Sequence, residues 1–357
     1  MRKIDLKTVS DRVRDLFVEA CESIPENVLN ALRYAREGEE SPLGKEVIEK
    51  IIENDLLARE KHLPLCQDTG IAVVMLTVGS EVVFEGDIYE AVNDGVRRAY
   101  TEGYLRKSVV RHPLDRVNTG DNTPAIVHIK MAPGDVFKIE VAPKGGGSEN
   151  MSAIKMLIPS DGIEVVKKFI VDTVAAAGGK PCPPIVVGVG IGGSFEKCAL
   201  MAKEALLREI DDESPDPIAR ELEAELLSLI NDTGIGPMGF GGRKTCLAVK
   251  VNTYPCHITT LPSNSIFSNA EMKRGLSAHI LFMIASFSFS IFASLSSSIT
   301  ICVGFPSSSL VFDTLSRSDA NEPPSNTEDF GFDSTTGVAT GAGIITCCGS
   351  TIGVCST

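Results

Sequence analysis

The sequence contains no CxxC pair, although ten of its 357 residues are cysteine. This absence argues against zinc ribbons and thioredoxin-like sites, because both need two cysteines at that spacing. The opening residues, MRKIDLKTVSDRV, also lack the uninterrupted apolar run of a secretory signal. We therefore expect a cytoplasmic protein whose thiols stay reduced. Its scattered cysteines are interpreted as metal ligands, reactive thiols or small core residues, and any metal site must be assembled from distant segments.

Positive charge is also in short supply, since the formal net charge is −13. A chain this acidic repels polyphosphate, so nucleic acid is not an expected partner. The apolar share of 43% and the charged share of 23% are ordinary for a folded globular protein. The length is sufficient for one large domain or two modest ones.

Charged Asp, Glu, Lys and Arg side chains are missing altogether from Gly275 to Phe312. Serine is enriched in the same part of the chain, with 11 serines in residues 1–262 and 20 in residues 263–357. A membrane helix at 281–305 has the right length, but its many serines weaken the hydrophobic signal that a membrane span needs. A merely disordered tail does not fit the Phe and Ile content.

We favour translation in a wrong reading frame after Pro262, which gives serine-rich sequence without hydrophobic periodicity. The chain is accordingly divided into a domain of residues 1–262 and an aberrant tail of residues 263–357, which is expected to pack poorly or to be disordered. Sequencing the coding DNA for a single-base slip near codon 262 tests this hypothesis.

Hydrophobic spacing predicts helices through the first sixty residues, and Ser41 followed by Pro42 is typical of a helix start. Further on, β-branched runs predict strands between helices. The strands are expected at 71–78, 125–130, 136–141, 185–191 and 245–252, and the helices near 88–104, 162–177, 194–209 and 217–231. The predicted fold class is α+β, with a helical N-terminal layer packed on a mixed sheet.

Three polar segments with glycine interrupt this pattern. The first, Leu65–Gly70, places a thiol, an amide, a carboxylate and a hydroxyl side by side, although taken alone it is also an ordinary turn. The second, Asn118–Pro124, is equally compatible with a loop. The third, Lys144–Asn150, contains three consecutive glycines, whose N–H groups beside a lysine suit an anion such as a carboxylate. It lacks the spacing of a Walker loop, so nucleotide phosphate is not implied.

Three more segments follow. Cys182 lies among three prolines, which hold a ligand loop rigid at low entropy cost. Gly188, Gly190 and Gly193 match GxGxxG, but the acidic, proline-broken stretch at 209–216 does not provide the strand end that a dinucleotide fold needs. The glycine-rich segment 234–245 suits either anion recognition or a flexible loop. His257 follows Cys256, and a lone histidine is more often structural than catalytic.

In order and spacing, these segments resemble those of the class I (iron–sulfur) fumarate hydratase alpha subunit. The matching motifs are CQDTG, NTGDNTPA, KGGGSEN, PCPP running into GIGGS, GIGPMGFGG and PCHI, and the resemblance covers about residues 1–262. The L-tartrate dehydratase alpha subunit is the close relative. We expect it to be less similar at the positions of Ser148–Asn150 and Gly239–Gly242.

The resemblance implies an alpha subunit that adds or removes water on a C4 dicarboxylate, interconverting fumarate and (S)-malate. It also implies a 4Fe–4S cluster held by three cysteines, whose open iron acts as a Lewis acid. Cys66 and Cys182 match two cluster ligands. The positions that match substrate-binding residues are Gln67, Arg106, Lys144, Gly146 and Gly147, and those that match catalytic residues are Asp68 and His257. An arginine suits bidentate recognition of a carboxylate.

The sequence departs from the family where the third cluster cysteine is expected, just after Leu261 and Pro262. The family has a segment like NIQCHAARH there, whereas this chain reads SNSIFSNAEMKRG and has no further cysteine until Cys302. Two thiolates hold a cubane poorly. Cys256 and Cys302 are the remaining substitutes, and this chain is expected to be inactive without a third thiol.

The resemblance further implies a separate beta subunit that carries other catalytic groups, and an active unit that is a dimer of alpha–beta pairs. Three other interpretations remain open. They are an L-tartrate dehydratase alpha subunit, a non-catalytic frameshifted subunit that still binds its partner, and a nucleotide-binding oxidoreductase.

Overall fold

The computed structural model describes residues 1–268 and the backbone of residues 269 and 276–279. The helices in this part of the chain are α1 (Leu6–Glu22), α2 (Glu26–Glu37), α3 (Pro42–Lys61), α4 (Ile88–Glu102), α5 (Gly146–Glu149), α6 (Gly162–Ala177), α7 (Phe195–Ala205) and α8 (Pro217–Asn231). The strands are β1 (Arg2–Ile4), β2 (Ile71–Gly79), β3 (Val82–Phe84), β4 (Ile126–Ala132), β5 (Phe137–Lys144), β6 (Ala153–Leu157), β7 (Ile185–Gly192), β8 (Cys246–Tyr254), β9 (Leu261–Asn269) and β10 (Leu276–His279). The predicted α+β class is confirmed.

Helix starts follow the local chemistry of the sequence. The Asp5 carboxylate accepts the backbone N–H groups of Lys7 and Thr8 at the start of α1, and the Ser41 hydroxyl accepts that of Gly44 at the start of α3. Pro42 occupies the first position of α3, where a missing N–H costs nothing. The predicted start of this helix is therefore confirmed.

The first sheet has the strand order β10-β5-β2-β4, with β4 parallel and β5 antiparallel to β2. One face of the sheet packs against α1 and α4. The buried core there includes Phe17, Leu76, Tyr100 and Ile139. Although β4 and β5 are consecutive and joined by a turn, β2 lies between them, so they do not form a hairpin.

The second sheet has the order β6-β9-β7-β8, with β8 parallel and β9 antiparallel to β7. Helices α6 and α8 cover one face, and α7 covers the other. A Cβ atom on Gly188 would lie 2.2 Å from the Ala202 carbonyl oxygen, and one on Gly190 would lie 2.1 Å from that of Cys198. Close packing of α7 on β7 therefore explains two glycines of the GxGxxG match.

The paired part of the chain extends past Pro262, the boundary that the sequence predicts between the domain and its tail. Strand β9 crosses this position and pairs with β6 on one side and β7 on the other. Ile266 and Phe267 lie in the buried core, and strand β10 pairs with β5. A further strand therefore follows the one that the sequence predicts at 245–252. The serine content of β9 conceals it in the sequence, but backbone pairing and two apolar side chains stabilise it. The hypotheses on the remainder of the tail, including the membrane helix at 281–305, fall on residues outside those that the structure describes.

The polar content of β9 leads to a testable expectation for stability. Ser265 is fully buried, and its hydroxyl has no hydrogen-bond partner among the described residues. Leaving such a group unpaired costs about 1–3 kcal/mol. We therefore expect Ser265→Ala to raise the free energy of unfolding by about 1–2 kcal/mol, measured by urea denaturation. Ser263→Ala is the matched control, since the Ser263 hydroxyl donates to the Leu261 carbonyl oxygen; equal gains from both variants would contradict this account.

Candidate active site

The candidate site lies where the chain passes from the first sheet to the second. Lys144, the last residue of β5, pairs with Ile71, the first residue of β2. The glycine-rich segment 145–150 then leads to β6 in the second sheet. This register brings the CQDTG and KGGGSEN motifs side by side, as their shared role in the resemblance requires.

Asp68 connects these two motifs directly. Its Oδ1 accepts the N–H of Gly70 at 3.0 Å, and its Oδ2 accepts the N–H of Gly146 at 2.9 Å. The Cys66 sulfur accepts the Asp68 N–H at 3.4 Å. Gly70 has a φ of 71°, and a Cβ there would lie 2.5 Å from the Lys144 carbonyl carbon, so only glycine fits. In the described structure Asp68 thus holds two loops together.

The Cys182 loop reaches the other side of the same glycine segment. A Cβ on Gly147 would lie 2.9 Å from the Lys180 carbonyl oxygen. Cys182 has a left-handed φ of 58°, and its N–H donates to the Gly179 carbonyl oxygen at 3.0 Å. The backbone of Met238, from the segment 234–245, donates to the Pro183 carbonyl oxygen at 2.7 Å. The glycine segment therefore contacts both loops that carry a predicted cluster cysteine.

Arg106 is tied to the same region through its backbone. The Thr69 hydroxyl donates to the Arg106 carbonyl oxygen at 3.0 Å. The Arg106 side chain is exposed, and its guanidinium has no hydrogen bond or ion pair with any residue that the structure describes. Gln67, next to Cys66, is likewise exposed. Both side chains are accessible to a ligand at this edge of the fold.

Asn122 fixes the positions of these loops, and sequence reasoning did not identify it. It is fully buried, and its Oδ1 accepts the N–H groups of Ser108 at 2.6 Å and Val109 at 3.1 Å. Its Nδ2 donates to the Gly70 carbonyl oxygen at 3.2 Å. The hydroxyl of Tyr100, on α4, donates to the same oxygen at 3.1 Å. The only signal in the sequence was the NTGDNTPA motif, which is equally typical of a loop.

The Lys144 side chain turns into the protein. It is 4% exposed, its Nζ donates to the Ser148 hydroxyl at 2.8 Å, and it lies 3.1 Å from Glu149. Burial lowers the pKa of Lys144 to about 8, although the charge of Glu149 acts in the opposite direction. Lys144 thus holds the glycine segment in the described structure, and direct contact with substrate stays a prediction.

His257 and Cys256 lie away from this cluster. Cys182 precedes β7, whereas both residues follow β8, which runs parallel to β7. An eight-residue strand spans about 25 Å, so the two loops emerge at opposite ends of the sheet. The His257 Nδ1 lies 2.8 Å from the Thr259 hydroxyl, and both residues are exposed. The structure does not bring His257 together with Asp68 or Cys182 in one chain, and the same separation removes Cys256 as a substitute cluster ligand.

A third thiol is missing from the cluster region in residues 1–269. Strand β9 ends near Cys182, because its last residue, Asn269, pairs with Ile185, which is three positions after Cys182. Cys21 lies near Cys66 but is buried, and burial, Glu22 and Cys66 together raise the pKa of its thiol to about 12. Within the described residues, no three His, Cys, Asp or Glu side chains are arranged to hold a metal. The described residues therefore supply two of the thiolates that such a cluster needs, but not the third.

Within the described residues, no helix combines the length and apolar character needed to cross a membrane.

Residues 10–275 match the model of the fumarate hydratase (Fumerase) family. A putative L(+)-tartrate dehydratase subunit alpha of Methanocaldococcus jannaschii is 47% identical over 265 residues, which cover 71% of this chain and 91% of the relative. The L(+)-tartrate dehydratase subunit alpha of Escherichia coli strain UTI89 is 34% identical over 242 residues, covering 67% of this chain and 80% of the relative. The L(+)-tartrate dehydratase subunit alpha of Shigella boydii serotype 4 is 33% identical over 242 residues, which again cover 67% of this chain and 80% of the relative.

The family match extends past position 262, in agreement with the course of β9. It includes all the motifs on which the resemblance was based, together with the loops that meet around Asp68. This chain belongs to the fumarate hydratase (Fumerase) family of hydro-lyases.

Proposed function

We propose that this chain is the alpha subunit of a hydro-lyase that adds or removes water on a C4 dicarboxylate. The observation that carries the proposal is the meeting of three loops, which bear Cys66 with Asp68, Gly146 with Gly147, and Cys182. Loops that are joined by a side-chain hydrogen bond and by close backbone packing are suited to form a preorganised ligand site. The names of the relatives, which are alpha subunits, support a beta subunit as partner.

Two substrate assignments are equally supported: the interconversion of fumarate and (S)-malate, and the dehydration of L-tartrate. The family name supports fumarate, and the names of the relatives support tartrate. All these molecules carry two carboxylates that need cationic or N–H partners. In our proposal the exposed guanidinium of Arg106 binds one carboxylate bidentately, and Gln67 donates its amide N–H to a second oxygen.

Hydration requires a proton at one carbon and hydroxide at its neighbour. Asp68 is the proposed proton-transfer group, because its carboxylate is held at a fixed orientation by two backbone N–H groups. The Gly147 backbone packs against the Lys180 carbonyl, which keeps the glycine segment in contact with the Cys182 loop. His257 acts at this site only if a second chain supplies it, because its own chain carries it to the opposite sheet end.

In the iron–sulfur fumarate hydratases that this chain resembles, a 4Fe–4S cluster supplies a Lewis acid. This chain offers Cys66 and Cys182 for it, but Asn269 lies where β9 returns to the same end of the sheet. A second candidate function follows from this observation. The chain is then a non-catalytic alpha subunit, which binds its partner and the dicarboxylate but performs no hydration.

Calorimetric titration with fumarate, (S)-malate and L-tartrate tests the site, and assay of fumarate loss with a beta subunit tests catalysis. We expect Arg106→Met to weaken dicarboxylate binding about tenfold, which corresponds to about 1.4 kcal/mol. Arg111→Met is the matched control on the same exposed segment and should leave binding unchanged. Binding without turnover supports the non-catalytic candidate. Absence of binding to the wild-type chain contradicts both candidates.

A further inference from the structure

Glu149 lies between two lysines that come from different parts of the fold. Its Oε1 accepts a hydrogen bond from Lys203 Nζ at 2.9 Å. Its Oε2 lies 3.1 Å from Lys144 Nζ, as an ion pair without hydrogen-bond alignment. Lys144 ends β5 in the first sheet, whereas Lys203 is on α7, which covers the second sheet. One carboxylate therefore connects the two sheets across the glycine segment.

The three side chains are mostly shielded from solvent. Their exposed fractions are 4% for Lys144, 34% for Glu149 and 17% for Lys203. Ion pairs shielded to this extent are screened less by salt and solvent than exposed ones. The helix that carries Lys203 is itself held close to β7 by Gly188 and Gly190. Glu149 is thus contacted by a partly buried side chain from a helix that packs closely on the second sheet.

Lys144 connects Glu149 to the start of the glycine segment. Its ammonium also donates to the Ser148 hydroxyl, which in turn donates to the Gly145 carbonyl oxygen at 3.2 Å. Gly146, the next residue, donates to Asp68. A displacement of Glu149 therefore shifts both ends of the turn that contacts the Asp68 and Cys182 loops.

We propose that Lys203 is a positioning residue. Through Glu149 and Lys144, it holds residues 145–148 of the glycine segment in place against Asp68 and the Cys182 loop. The inference rests on the proposed function only in taking this segment as part of the dicarboxylate site. Lys203 does not touch the ligand in this proposal. It acts from the second sheet, and sequence spacing alone does not reveal it because Glu149 and Lys203 are 54 residues apart.

The charges around Lys144 give the proposal a signature that a general packing role does not have. Burial lowers the pKa of Lys144 to about 8, Glu149 and Asp68 raise it, and Lys203 lowers it by repulsion. Removing the Lys203 charge is therefore expected to raise the pKa of Lys144. Removing the Glu149 charge is expected to lower it. Two substitutions in one contact thus have opposite effects.

The test uses the full chain with Lys203→Met, Glu149→Gln and Lys203→Arg. Lys197→Met is the matched control on the same helix, since Lys197 lies 3.9 Å from Glu204 and does not contact Glu149. The pKa of Lys144 is measured from the pH dependence of its acetylation by mass spectrometry. We expect a rise in Lys203→Met, a fall in Glu149→Gln and no change in Lys197→Met. An unchanged pKa in the first two variants overturns the proposal.

Amide hydrogen exchange of residues 145–152 provides the second measurement. We expect exchange about tenfold faster in Lys203→Met and close to wild type in Lys203→Arg, which keeps the charge. (S)-Malate binding should weaken about fivefold in Lys203→Met. If the wild-type chain binds no dicarboxylate, the proposed function fails, but the pKa and exchange results still decide the role of Lys203. Faster exchange equally in Lys197→Met would overturn that role.

Discussion

Asn269→Cys is expected to convert a chain that retains little iron into one that holds about four iron ions after anaerobic reconstitution. The physical reason is the direction of β9. It runs antiparallel to β7 and brings the backbone of residue 269 opposite Ile185, just past Cys182. A thiol at this end of the sheet joins Cys66 and Cys182, whose loops already meet at the glycine segment. Iron and sulfide analysis, together with visible absorbance, measures the gain.

Ser263→Cys is the matched control for this variant. Residue 263 belongs to the same strand but pairs with Ile191, at the opposite end of β7. A cysteine there should add no iron. Within the Asn269→Cys background, Cys66→Ser and Cys182→Ser should each remove the gain, whereas Cys198→Ser should keep it. Cys198 is buried, its sulfur donates to the Gly190 carbonyl oxygen, and burial raises the pKa of its thiol to about 12.

Equal iron content in the Asn269→Cys and Ser263→Cys variants would contradict this assignment. It would show that a thiol anywhere on β9 recruits iron without a defined site. No gain in either variant, with the fold intact by circular dichroism, would show that the two described thiols and residue 269 do not meet closely enough. Hydration activity with a beta subunit should follow the iron content if the chain is a hydro-lyase subunit.

Much of the fold could be predicted from the sequence, because hydrophobic periodicity and capping residues act locally. The helix start at Ser41 and the strand at Ile71 are examples. Strand β9 could not be predicted in this way. Its serines suggest an unpatterned segment, whereas its stability comes from backbone pairing with β6 and β7, which local sequence does not encode.

The candidate site shows the same division. The CQDTG and KGGGSEN motifs lie on loops that the structure brings into contact, and their residue types suit turns and ligand contacts. The position of His257 depends on the direction of β8 relative to β7. The PCHI motif, which contains Cys256 and His257, carries no information about that direction. The Glu149–Lys203 contact and the three bonds of Asn122 join residues distant in sequence. Only the three-dimensional arrangement reveals them.

Asn122→Ala is expected to lower the free energy of unfolding by about 3–5 kcal/mol, because truncation leaves two partly buried N–H groups without partners and removes one of the two hydrogen bonds to a buried carbonyl oxygen. Those N–H groups belong to Ser108 and Val109, and the oxygen belongs to Gly70. Asn122 also has a left-handed φ of 62°, which asparagine tolerates better than alanine. Urea denaturation measures the loss.

Asn118→Ala is the matched control in the same motif. Asn118 also bonds to the backbone, donating to the Lys107 carbonyl oxygen and accepting the Gly120 N–H, but it is exposed. Water replaces these partners after truncation, so the loss should stay below about 1 kcal/mol. A comparable loss in both variants would mean that the motif acts only as a loop. If the bonds of Asn122 matter as proposed, Asn122→Ala should also weaken dicarboxylate binding, because the Thr69–Arg106 hydrogen bond is then the main remaining link between the Arg106 segment and the Asp68 loop.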